Sequence, residues 1–259
     1  MKLSYTQAGE SGPPLVIMHG LFGSARNWQG IAKQLANHYK VYALDLRNHG
    51  LSPHAATMGY QEMAGDVVKF LDNQQITDSV ILGHSMGGKV AMELALSQPE
   101  RVNKLVVVDI APVTYKHDFN DILEGLFTIP LDNVTSRKDA DQYLARTIKT
   151  LSLRQFLLQN LVKTPDNGYQ WRVNLNSIQK NMNHIMGFLE AKSSNSFNKK
   201  TLFIRGGASS YLSPSHQVSA LDLFPNGKVE TVNKAGHWPH VESPHVFLDL
   251  LTPFLAEIA

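Results

Sequence analysis

The chain contains no cysteine. That absence excludes disulfides, a thiolate nucleophile and cysteine-based zinc sites. Charge imbalance is almost absent as well. The formal net charge is +2 over 259 residues, too small to point to nucleic acid or an anionic membrane surface as a partner. No uninterrupted apolar run approaches the roughly 18 residues of a membrane span. The first residues, M-K-L-S-Y-T-Q-A-G-E, lack the apolar stretch of a signal peptide. A cytoplasmic monomer or homodimer is the expectation, with no membrane span. No G-x-G-x-x-G follows the first strand and there is no phosphate-binding loop, so no nucleotide site is implied. Internal repeats and low-complexity tracts are missing too.

What is present is a regular alternation. Hydrophobic residues make up 43% and charged residues 18%, ordinary for a globular protein. Leu15–Met18, Lys40–Leu44, Val80–Leu82 and Arg101–Ile110 are compact apolar runs that read as buried strands. Between them lie helical stretches, from about Asn27 to Asn37 and from about Tyr60 to Asn73. Such alternation implies a mostly parallel sheet with helices on both faces. Sites in such sheets lie beyond the carboxyl ends of the strands. His19, Asp45, Ser85 and Asp109 all fall at those ends.

From about Pro112 to Ser196 the pattern changes. No clear strand is expected there, but helices are, at Ala140–Thr150, Leu153–Val162 and Ile178–Ala191. Residues 112–196 therefore read as a helical cap inserted into a core made of 1–111 and 197–259. Strands at Thr201–Arg205 and Lys228–Val232, and helices near Ser215–Leu223 and His245–Ile258, complete the core.

The chemistry centres on Ser79–Val90, S-V-I-L-G-H-S-M-G-G-K-V. A strand runs into a helix through a tight turn with Ser85 at its tip. Gly83 and Gly87 flank it as G-x-S-x-G, because a strained turn leaves no room for a Cβ on either side. Strain pushes Oγ out of the sheet edge. The Met86 N–H, opening the helix, points where an oxyanion would form.

These residues, with H-G-L-F-G at His19–Gly23, D-L-R-N-H-G-L-S at Asp45–Ser52 and G-H-W-P-H-V-E-S-P at Gly236–Pro244, resemble the α/β-hydrolase superfamily over essentially the whole chain. The similarity is nearest to the small bacterial YbfF-type esterases, which share HGLFG, the VVVDIAP run and a GG-x-S segment. The resemblance implies an α/β-hydrolase fold and a serine esterase that needs no cofactor or metal. Its substrate would be a small acyl ester or thioester. The second oxyanion N–H then belongs to Leu21. Dehalogenase and epoxide hydrolase chemistries on this fold need an aspartate nucleophile and are set aside.

Ser85 needs a base. Of eleven histidines, His237 occupies the loop between the last strand and the last helix, where the family carries it. His240 and His245 are its neighbours, but Pro239 and Pro244 interrupt any helical metal face among the three. His19 is expected to organise the oxyanion loop and His84 to pack beside the site. Asp45, Arg47 and His49 read as local stabilisers of their loop, with the carboxylate and guanidinium paired.

The third member departs from the superfamily's usual position. The loop after Arg205 reads G-G-A-S-S-Y-L-S and has no carboxylate. Asp109 ends the preceding strand, about 4.8 Å away across the sheet, and the YbfF-type resemblance places the acid there. Asp222 and Glu242 are the competing carboxylates. For substrate, Leu123, Leu126, Phe127 and Ile129 are expected to line an apolar pocket, or else to form the cap's own core, with Trp238 beside the base. Two other classes stay open at this point. One is a carbon–carbon bond hydrolase, perhydrolase or lyase on the same triad. The other is a ligand-binding homologue without turnover.

Overall fold

A computed structural model describes residues 1–116, 119–188 and 196–257. In chain order the first elements are β1 (Tyr5–Ala8), β2 (Pro14–Met18), α1 (Gln29–Leu35), β3 (Lys40–Leu44), α2 (Tyr60–Asn73), β4 (Ser79–His84), α3 (Met86–Ser97) and β5 (Val102–Val108). The middle of the chain gives α4 (Asn120–Phe127), α5 (Arg137–Leu144), α6 (Leu151–Leu157), β6 (Leu161–Lys163), β7 (Tyr169–Trp171), α7 (Leu175–Lys180) and α8 (Met182–Met186). The last are β8 (Thr201–Gly206), α9 (Pro214–Leu223), β9 (Gly227–Val232), α10 (Pro239–Glu242) and α11 (Pro244–Ala256).

Seven strands form one sheet in the order β1-β3-β2-β4-β5-β8-β9. Only the β1–β3 pair is antiparallel. The apolar runs are continuous because both faces are covered. Alternate residues point to opposite faces, so Val16 and Met18 join one buried cluster while Leu15 and Ile17 join the other. The same split sends Leu105 and Val107 one way and Val106 and Val108 the other. Among the described residues no helix is long and apolar enough to cross a membrane.

Between β5 and β8 the structure departs from the all-helical expectation. β6 and β7 form a two-stranded antiparallel ribbon, Leu161 opposite Trp171. Each strand has three residues, too few for a period of two to register in the sequence. The helices are also shorter than expected. The stretch expected as one helix from Ile178 lies in α7 and α8, with Asn181 between them; its end at Ala191 lies outside the described residues, as does Ile258.

Lys89, on α3, ties this segment to the core. Its Nζ donates to the carbonyls of Val113 (2.9 Å), Met186 (3.0 Å) and Gly187 (2.6 Å). An ammonium has three donors, and all three are used. Another expectation is corrected in the loop after β3. Arg47 pairs not with Asp45 but with the buried Asp66 of α2 (Nε to Oδ2, 2.7 Å). Asp45 instead accepts the N–H groups of Ala25 (2.7 Å) and Leu51 (2.8 Å). Backbone donors in a tight loop satisfied it before any side chain could.

Candidate active site

Every strand that feeds the site stops at the same edge of the sheet. His19 follows β2, Asp45 follows β3, Ser85 follows β4 and Asp109 follows β5, while His237 lies in the loop after β9. Ser85 has φ 51° and ψ −119°, a conformation that costs a non-glycine residue about 1–3 kcal/mol and persists only where the surroundings impose it. The surroundings do so through close approach. A Cβ on Gly83 would lie 2.1 Å from the Gly87 carbonyl oxygen, and one on Gly87 would lie 2.6 Å from those of Met18 and His19.

Three side chains from three loops meet in a line. His237 Nε2 lies 3.0 Å from Ser85 Oγ. Its Nδ1 lies 2.7 Å from Asp109 Oδ2. Asp109 is fully buried and also accepts the N–H of Gly206 at 2.9 Å and the hydroxyl of Ser209. The acid therefore reaches the imidazole from one strand over. Gly206 shows why no side chain serves from β8 at this point: a Cβ there would sit 1.9 Å from the Gly236 carbonyl oxygen. Asp222 is exposed on α9. Glu242 lies near His237 but accepts the N–H groups of Gly236 (2.7 Å) and Trp238 (3.1 Å). It holds the two residues that flank the imidazole.

Four histidines support this line. His19 Nε2 accepts the Leu46 N–H at 3.0 Å and His49 Nε2 accepts the Phe22 N–H at 3.1 Å, which fixes the loop containing Leu21. His84 donates from Nε2 to the His237 carbonyl at 2.7 Å. His240 stacks on Trp28 with ring centroids 4.1 Å apart. Burial holds these rings neutral, lowering His19 to about 4 and both His49 and His240 to about 3, and pulling His84 well below its ordinary value. Neutrality is what lets His19 and His49 accept.

A stability prediction follows from those rings. The unfolded chain protonates histidine near 6.5, while the folded state resists protonation down to about 4 or 3. In that window the unfolded state binds more protons, so stability falls as pH falls. Each ring contributes a slope of at most about 1.4 kcal/mol per pH unit. The urea midpoint should be lower at pH 5 than at pH 7. His49→Gln, which keeps an acceptor but cannot titrate, should show a shallower pH dependence. An equal dependence in both proteins would refute this.

Beside Ser85 opens a cleft of about 610 Å³. His237, Trp238 and Tyr211 line one part of it, and Phe119, Leu153 and Phe156 another. Trp238 lines the cleft beside His237. Leu123, Leu126 and Ile129 are not at the cleft; they are buried in the hydrophobic core that the segment shares with the sheet. Phe127 is exposed. An apolar stripe on a helix packs against its own neighbours first, and α4 presents Ile122 to the cleft instead. Sequence reasoning also missed Tyr211, whose ring stacks on His237 at 4.0 Å, and Ser209. The GG-x-S segment marked Ser209 without disclosing its bond to Asp109. Nothing in the sequence pointed to Tyr211.

Comparison with known proteins finds a family model, curated relatives and a solved structure that match the chain over most of its length. The model of the alpha/beta hydrolase fold family matches residues 13–244. The chain is 41% identical over 253 residues to an sn-1-specific diacylglycerol lipase of Xenopus laevis, covering 94% of this chain and 80% of the relative. It is 35% identical over 245 residues to esterase YbfF of Escherichia coli, covering 93% and 92%. The solved structure of a marine microorganism esterase superposes with a TM-score of 0.94 at 38% identity, covering 98% of this chain and 99% of the other.

Proposed function

The chain belongs to the α/β-hydrolase fold family, and from that premise we propose that it is a serine hydrolase of carboxylic esters, with Ser85, His237 and Asp109 as its catalytic triad. The observation that carries the reading is the unbroken line from Ser85 Oγ through the His237 ring to Asp109, at 3.0 Å and 2.7 Å. That is the arrangement nucleophilic acyl transfer requires.

In this reading Ser85 Oγ attacks the acyl carbon and its proton passes to His237 Nε2. Asp109 holds the Nδ1 proton in place and stabilises the imidazolium. Met86 opens α3, so its N–H has no intrahelical acceptor. With the Leu21 N–H it receives the oxyanion. Collapse of the tetrahedral intermediate breaks the bond to the alcohol oxygen, which takes the proton from Nε2 and leaves. Water then loses a proton to Nε2 and attacks the acyl-enzyme. The acid departs and Ser85 recovers its proton. The same steps serve a thioester, with a thiol leaving. Residues 112–196 act as a cap over the cleft, since Phe119, Ile122, Leu153 and Phe156 come from it.

A fluorophosphonate probe should label Ser85, and an aryl ester should give an alcohol burst followed by steady turnover. Labelling elsewhere, or no turnover of any ester, would refute the proposal.

A further inference from the structure

A second and far smaller space meets the cleft at Ser85. It measures about 20 Å³. Met86, Ile110, Ile185 and Met186 line it, together with Tyr60 and Lys89. Lys89 stands one helical turn beyond Ser85 on α3, so the recess runs along the helix away from the nucleophile. His237 and Trp238 line the cleft and do not line the recess, whereas Leu21, Ser85, Phe119 and Tyr211 line both.

That division sorts the parts of an ester. The leaving oxygen must come within hydrogen-bond reach of the imidazole that protonates it, so the alcohol lies on the cleft side. The carbonyl oxygen is taken by the N–H groups of Leu21 and Met86. The acyl chain is the remaining substituent, and the remaining direction is the recess. We propose that the recess is the acyl subsite, and that the chain selects esters of short acids with larger apolar alcohols. The inference rests on the ester hydrolysis proposed above.

Size carries the selectivity. A single water needs about 10–15 Å³ in the same measure, so 20 Å³ admits a tail of one or two carbons. The walls resist expansion because their polar ends are engaged. Tyr60 donates its hydroxyl to the Ile185 carbonyl, and Tyr115, which also lines the recess, donates to that of Tyr211. Lys89 spends all three protons on carbonyls. A longer acyl chain would have to break these bonds or remain unseated. The cleft, about 610 Å³, imposes no such limit on the alcohol.

The test uses two series with the purified protein. Naphthyl acetate, butyrate, hexanoate and octanoate vary the acid; ethyl, benzyl and naphthyl acetates vary the alcohol. kcat/KM should fall about tenfold or more between acetate and butyrate and further to hexanoate, the penalty for methylenes that find no pocket, and should not fall along the alcohol series. Met186→Ala removes a wall and should raise the hexanoate-to-acetate ratio of kcat/KM about tenfold. Ile185→Val should shift the ratio the same way by less, and it stands in if the larger truncation fails to fold. A wild-type optimum at butyrate or any longer acid, or an unchanged ratio in the folded variants, overturns the acyl assignment while leaving the hydrolase reading intact. No turnover of any ester would overturn both, and is distinguishable for that reason.

Discussion

Ser85→Ala should leave the protein folded and reduce ester turnover by roughly 10⁵–10⁶-fold. The size of the effect follows from what the change removes. Ser85 supplies the oxygen placed 3.0 Å from His237 Nε2 for attack. Without it His237 has no nucleophile to deprotonate, and only oxyanion binding and orientation of water remain. The fold should survive because alanine keeps the Cβ that the turn already accommodates. The backbone strain at φ 51° is the same for both residues. Thermal unfolding and steady-state hydrolysis of an aryl ester measure the two halves. Turnover within about tenfold of the parent, in a protein that melts normally, would remove Ser85 from the mechanism.

Asp109→Asn should lower kcat by about 10³–10⁴-fold. Asp109 takes three donors: the imidazole Nδ1, the Gly206 N–H and the Ser209 hydroxyl. An asparagine must turn either its oxygen or its NH₂ toward His237. If the NH₂ faces Nδ1, the ring must move its proton to Nε2, where it can no longer accept from Ser85. If the oxygen faces Nδ1, the NH₂ confronts the Gly206 N–H across 2.9 Å. Either way the base is misprotonated or the site loses a bond. Asp222→Asn and Glu242→Gln provide the contrast. Asp222 is exposed and Glu242 bonds only backbone N–H groups, one of which glutamine still accepts. Both should keep kcat within about tenfold of the parent. A crippled Glu242→Gln beside an active Asp109→Asn would reassign the acid.

The elbow was legible because its signal is local. A strand, two glycines and a helix lie within a dozen consecutive residues, and sterics at each position dictate the residue type. Asp109 was legible for a different reason. The loop after β8 offered no carboxylate, adjacent parallel strands deliver their ends to one place, and the resemblance to YbfF-type esterases pointed to the same position. What stayed hidden depended on contacts across long separations. Arg47 found Asp66 on a helix that the loop itself does not announce. The fate of α4's stripe depended on which neighbours covered it first, so Leu123 packed inward while Ile122 reached the cleft. The β6–β7 ribbon was too short to leave a period. Tyr211 stacks on His237 because two loops converge, which no window along the chain reports.

The threefold grip of Lys89 has a consequence for the segment it holds. Val113 comes shortly after β5, Met186 ends α8 and Gly187 follows it. One nitrogen therefore gathers both ends of a long excursion, as a drawstring closes the neck of a bag. Once the neck is drawn, the cost of closing the loop is met at that point and depends only weakly on its contents. Doubling its length would add about 0.6 kcal/mol. The strands beneath feel the knot and the few side chains, such as Leu123 and Leu126, that join their core, so stretches between the two ends that reach neither that core nor the cleft can lengthen or shorten while Ser85, four positions before the lysine, stays where it is.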